Sequence, residues 1–159
     1  MPCQRREDVE VFADYNQFYV QDGGINPSAQ EDWTDEDVAR RAKVAENVFV
    51  VCPVRNMSVP VEISLYDVAP SLELDLWDHA VAGSLFLPSG HLQIHECTGG
   101  PVLDWQVSPG HYEVAVLYAG LGSLSQDGLE GTDQYHVLLW PGKERELAVL
   151  REWGGRSEP

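Results

Sequence analysis

Paired carboxylates are the first residues in this sequence whose spacing could do chemistry. In the stretch SLELDLWD, Glu73 and Asp75 lie two positions apart, with Trp77 and Asp78 just beyond. On a strand, alternate residues share a face. Two positions span about 7 Å, within the roughly 5–9.5 Å over which two carboxyls divide the work of glycoside hydrolysis. The signal is weakly specific, because a chain with 26 acidic residues places such pairs by chance. His91 and His95 in GHLQIHEC are the candidate metal pair. On a strand they share a face but stand about 13 Å apart, too far to hold one ion by themselves. A neighbouring strand could complete a site around either one, but two surface histidines on one strand are the commoner arrangement. No G-x-S-x-G elbow and no glycine-rich phosphate loop is present, and the serines of GSLSQ read as a turn. The residues therefore assign no catalytic group, no metal and no cofactor.

Charge narrows what it would bind. Ten basic and 26 acidic residues give a formal net charge of −16. Such a surface repels phosphate backbones and anionic lipid and attracts a basic protein or a cation. Direct nucleic-acid binding and membrane insertion are not expected. No stretch approaches the roughly 20 apolar residues of a membrane span, and the arginines of MPCQRREDVEVF precede no apolar run of the secretory kind. Cys3, Cys52 and Cys97 are odd in number and none forms a C-x-x-C, so no disulfide framework is expected and a reducing, cytoplasmic setting fits. Cys52, in VFVVCPV, reads as a small buried hydrophobe.

The elements that must position these residues are strands. SVPVEISLY, HAVAGSLFL, GHLQIHEC, VLDWQV, HYEVAVLY and QYHVLLW alternate apolar and polar side chains. VEVF, QFYVQ, the run from Asn47 to Val54 and ELAVLREW complete a set of nine or ten short strands. Pro88-Ser89-Gly90, Gly99-Gly100-Pro101 and Pro109-Gly110 punctuate them. This rhythm predicts an all-β chain, an antiparallel β-sandwich or jelly-roll-like fold in one domain spanning 1–159, with its core about 8–153 and short frayed termini. Trp105 and Trp140 fall on alternating strands and are expected in the core. Loops 22–33 and 120–133 are long enough to carry a binding site.

One stretch breaks the rhythm. EDWTDEDVARRAKVAEN, Glu31 to Asn47, reads as a single short helix. Thr34 suits the N-cap, and Asp37 three residues later completes a capping box. Trp33 and Val38 stand in staple positions, and Asp35, Glu36 and Asp37 place negative charge where the helix dipole favours it. Glu36–Arg40 and Asp37–Arg41 are four apart, and Val38, Ala42 and Ala45 would form the buried face. Local helix physics leaves Glu31 and Asp32 unexplained, since both precede the cap.

Gln17, Phe18 and Val20, then DWTDE (Asp32 to Glu36) before an alanine-bearing helix and a strand, resemble the competence protein J family. SPGHYEV, Ser108 to Val114, is similar to a turn and strand of that family. The resemblance covers roughly residues 9–120, DWTDE being its most specific piece, and stops at Gly120. It implies inhibition of the DNA-entry nuclease of competent bacteria: sequestration of a basic nuclease, with no catalysis. It carries over Asp32, Trp33, Asp35 and Glu36 as motif positions. With Asp37 they form the first expected contact patch for a basic partner, and Glu73, Asp75 and Trp77 form the second. The alternative is a β-sandwich that binds a small ligand or carbohydrate through loops 22–33 and 120–133.

Overall fold

The computed structural model describes residues 3–25 and 33–154. Alternation produces strands almost everywhere it was expected. In chain order they are β1 (Cys3–Phe12), β2 (Phe18–Asp22), β3 (Ala42–Ala45), β4 (Val48–Val51), β5 (Ser58–Tyr66), β6 (His79–Leu87), β7 (His91–Glu96), β8 (Pro101–Gln106), β9 (Gly110–Ala119), β10 (Gln134–Pro141) and β11 (Ala148–Arg151). The α-helix, α1, is Asp35–Arg40.

The strands form two sheets facing each other. One is ordered β1-β5-β10-β9-β6-β11 and the other β3-β4-β2-β7-β8. Every pairing is antiparallel except β5 with β10, which run parallel. The inward residues of alternating strands fill the space between the sheets. Val61 and Ile63 of β5, Val114 and Val116 of β9 and Val137 and Leu139 of β10 meet Phe18, Phe49, Ile94 and Trp105 from the other side. Trp105 is buried as expected, and its indole N–H donates to Glu7 Oε1 at 3.1 Å. This buried apolar layer is the main source of stability in such a fold.

The outer faces are not left wet. Ala115, Leu117, Leu138 and Trp140 project from the back of the six-stranded sheet, where Leu72, Leu74 and Trp77 cover them. Trp140 is therefore buried as expected, but outside the sheet-to-sheet core. Tyr19, Val48 and Val50 project from the back of the five-stranded sheet, under Trp33.

Two expected elements differ. SLELDLWD is not a strand: Leu74–Leu76 make one 3-10 turn, with Glu73 before it. Its leucines alternate because the segment lies across the back of a sheet, not because it pairs. The helix is also shorter than expected. It stops at Arg40, and Ala42–Ala45 pairs with β4 through Lys43–Val50 and Val44–Phe49 instead of continuing a helical face. A six-residue helix gains little by extension, whereas β3 gains a ladder and buries Ala42.

Candidate functional site

One end of the sandwich gathers α1, the starts of β2, β6 and β10 and the end of β4, and its buried polar groups tie these segments together. Asp133 is 0% exposed. Its Oδ1 takes the Arg55 guanidinium at 2.7 Å and its Oδ2 takes the Tyr135 hydroxyl at 2.6 Å. The same Tyr135 oxygen accepts the Val54 N–H at 2.9 Å. His79 is equally buried, between the Arg40 carbonyl (2.8 Å from Nε2) and the Trp153 N–H (3.1 Å from Nδ1). Nδ1 must accept there, so Nε2 carries the proton and the ring is neutral.

Burial lowers the His79 pKa below its ordinary 6.5, although the Arg40 carbonyl pulls the other way. The folded-state pKa thus lies under the unfolded one. Stability from this residue is full above about pH 6.5 and is lost as pH falls through the lowered value. His136 shifts in the same direction through burial, so the expected result is a difference: between pH 8 and 5, His79→Gln loses less stability than the parent chain in urea titrations. Parallel pH profiles would contradict the assignment.

The local chemistry of α1 follows its sequence at the start. Thr34 Oγ1 accepts from the Asp37 N–H, and Asp37 Oδ2 accepts from the Thr34 N–H, both at 3.1 Å. Asp37 is buried and faces inward to Lys43 (3.1 Å) and Arg40 (3.3 Å) rather than to Arg41. Burial alone would raise its pKa, but the Thr34 and Lys43 hydrogen bonds outweigh it and hold the carboxyl at about 2. The expected Glu36–Arg40 pair forms at 3.6 Å, with the Glu36 side chain 76% exposed. Over residues 33–43, three acids (Asp35, Glu36, Asp37) meet three bases (Arg40, Arg41, Lys43). The outward acid of this helix is thus Asp35 and Glu36, a smaller patch than the sequence suggests.

The expected contact residues divide as follows. Trp33 is half-buried on the back of the five-stranded sheet, with the Lys43 ammonium 5.3 Å from its ring centre. Asp35 and Glu36 are exposed, Asp37 is internal, and Asp32 lies outside the described residues. Trp77 packs on the back of the other sheet, its ring edge 4.5 Å from His136. Glu73 is exposed, and Asp75 is fully exposed, 3.9 Å from Arg151. The structure therefore seats the two tryptophans on opposite outer faces and does not merge the two patches into one. Nor do Glu73 and Asp75 share a strand face across a cleft, so the dyad geometry is not formed. His91 and His95 point from one face of β7 as expected: His91 stands 3.6 Å from Asp104, and His95 stacks on Tyr19. Among the described residues no three His, Cys, Asp or Glu side chains come close enough to hold a metal ion.

A cleft of about 530 Å³ opens beside α1, within the usual range for small-molecule sites. Five separate segments line it: Tyr15 to Gln17, α1 with its flanks, Cys52 to Val54, the 120–133 loop and Trp153. It brings Trp33 and Val38 to one mouth, but Val38 is 62% exposed and buries little of itself in a staple. Cys52 lines this cleft half-buried rather than sealed in the core, and burial pushes its thiol up to about 12, so it is an inert wall. Gly120 sets the loop's entry: its φ is +70°, and a Cβ there would stand 2.5 Å from the Thr132 carbonyl.

Sequence reasoning missed Tyr15, Asn16, Arg41 and Trp153. Of the four non-glycine residues with positive φ among the described residues, three line this cleft: Tyr15 (59°), Asn16 (57°) and Arg41 (62°). Each left-handed residue of this kind costs about 1–2 kcal/mol, and such strain concentrates at functional sites. No periodicity signals it. The one local trace is Arg41 itself, which occupies a helix C-cap where glycine is the usual choice.

No protein-family model and no curated protein matches the sequence. Two solved structures share the fold. One is the crystal structure of ComJ from Bacillus subtilis, described as an inhibitor of the DNA degrading activity of NucA. It aligns with a TM-score of 0.67 at 16% identity, over 89% of this chain and 98% of that one. The other, described as crocagin biosynthetic gene J, aligns with a TM-score of 0.59 at 21% identity, over 90% of this chain and 100% of that one. This chain therefore shares its fold with ComJ, of the family the sequence resembles.

Proposed function

We propose that this protein binds a basic, DNA-degrading nuclease and inhibits it by stoichiometric association, without catalysis of its own. The observation that carries the reading is the near full-length fold match to ComJ, the inhibitor of NucA activity, together with a net charge of −16. A nuclease must present a cationic groove to phosphate. A strongly acidic protein is steered toward such a groove and competes with DNA for it. A cytoplasmic setting belongs to the same reading.

The contact surface in this proposal is the α1 end. Its exposed acids, Asp35 and Glu36, rim an apolar centre made by Val38, 62% exposed, Tyr15, 68% exposed, and the half-buried Trp33. A polar rim around an aromatic and aliphatic centre is the usual anatomy of a protein interface. The Glu73, Asp75 and Trp77 segment, on the other outer face, is a separate surface, and the long-range field of the whole chain adds steering.

The test is reconstitution with a NucA-type nuclease. The expected result is a complex on a sizing column and loss of DNA cleavage that reaches completion near equimolar inhibitor. Full cleavage at several-fold excess, with the two proteins eluting apart, would overturn the proposal.

A further inference from the structure

The cleft beside α1 shares Trp33, Tyr15 and Val38 with the proposed nuclease contact, but it also holds Arg41, which that contact does not use. Among the described residues that line it, Arg41 is the only charged one, in a chain where acids outnumber bases 26 to 10. Its guanidinium lies against Trp153, 5.0 Å from the ring centre. Its Nε–H is buried and meets no acceptor, and no carboxylate stands within 4 Å of the group among the described residues. Every other arginine or lysine that lines a cleft here, such as Arg40 or Lys43, is already paired with an acid.

Arg41 is also held firmly. Its N–H donates to the carbonyls of Asp37 and Val38, and its own carbonyl accepts from the Cys52 N–H (3.0 Å) and the Tyr118 hydroxyl (2.6 Å). The preceding carbonyl, of Arg40, is fixed by His79. Four segments, α1, the end of β4, β6 and β9, therefore aim one left-handed residue, at a position where glycine would be free of strain. A role for the side chain accounts for that arrangement, because the turn alone does not need arginine.

We infer that this cleft binds a small aromatic carboxylate, its ring among Trp33, Tyr15 and Leu124 and its carboxylate on the Arg41 guanidinium. A planar cation in an apolar, aromatic-walled site recognises a carboxylate by charge-assisted hydrogen bonds, and the walls recognise a flat ring. The pre-set backbone lowers the ordering cost of binding. The protonated Cys52 leaves the ligand chemically untouched, so the site holds rather than converts it. The inference is independent of the nuclease reading and stands if that reading fails.

The probes are indole-3-acetate, its neutral amide and the cation tryptamine, which share one ring system. Binding is read from the indole N–H cross-peaks of Trp33 and Trp153 in 15N-labelled full-length protein. Indole-3-acetate is expected to shift both peaks saturably. The amide should bind roughly tenfold or more weakly, and tryptamine not at all. In Arg41→Gln the acid and the amide should become equal. The comparison of acid with amide needs no variant, so it decides the matter even if Arg41→Gln fails to fold. Equal affinity of acid and amide for the parent protein would overturn the inference, as would shifts confined to other tryptophans.

Discussion

Asp133→Ala is expected to destabilise the protein by about 3–5 kcal/mol, the cost of breaking a buried ion pair. Removing this carboxylate strands the Arg55 guanidinium, whose side chain is 11% exposed, and leaves the Tyr135 hydroxyl without its acceptor. Both groups lose water on folding, and among the described residues no other carboxylate stands within 4 Å of Arg55, whose remaining acceptor is the Leu129 carbonyl at 3.4 Å. For a chain of this size, each kcal/mol shifts Tm by roughly 2–4 °C, so a fall of about 6–20 °C should be seen by tryptophan fluorescence. The cost should arise from the orphaned partner rather than from lost attraction. Accordingly, Arg55→Met combined with Asp133→Leu should recover part of the loss. A single-variant loss below about 1 kcal/mol is what an exposed pair gives, and would show that water reaches Asp133 in solution.

The second large effect concerns binding. Asp35→Lys with Glu36→Lys should lower the unfolding midpoint by only a few degrees: both side chains are exposed and neither caps the helix, so the cost is confined to the reversed first-turn charge and the lost Glu36–Arg40 pair, about 1 kcal/mol. The cap is Thr34 with Asp37, which the substitutions do not touch. Reversing two rim charges changes the local field by four units of charge, counted as two charges of −1 becoming two of +1. Association with a basic partner should slow by about tenfold or more at low salt, with a much smaller difference at high salt. Equal association rates for parent and variant at low salt would move the interface away from α1. The segment bearing Glu73, Asp75 and Trp77 would then be the next surface to reverse.

Which features were legible in the sequence follows from how local their causes are. β5 and β9 show alternation because one face of each looks into a shared core, and period two survives any reading of the neighbours. The helix start was legible because Thr34 and Asp37 bond each other across three residues. Its end was not, because the choice between helix and strand for Ala42–Ala45 is made by β4, a partner that periodicity cannot see. SLELDLWD misled for a related reason: Leu72 and Leu74 bury against Trp140 from a loop, and that loop mimics a strand's alternation. Asp37 reads as surface charge in sequence, yet it is spent inside on Thr34, Arg40 and Lys43. The cleft was least legible, since it draws one to three residues from each of five segments between Tyr15 and Trp153.

In the proposed function this chain silences a basic nuclease by binding it. The most direct test is a cleavage titration with a NucA-type nuclease at low and at high salt. The expected result is a linear fall in cleavage to an equivalence point near one inhibitor per nuclease at low salt, with a shallower, weaker curve at high salt. Undiminished cleavage at both salt concentrations, up to several-fold excess of this protein, would contradict it.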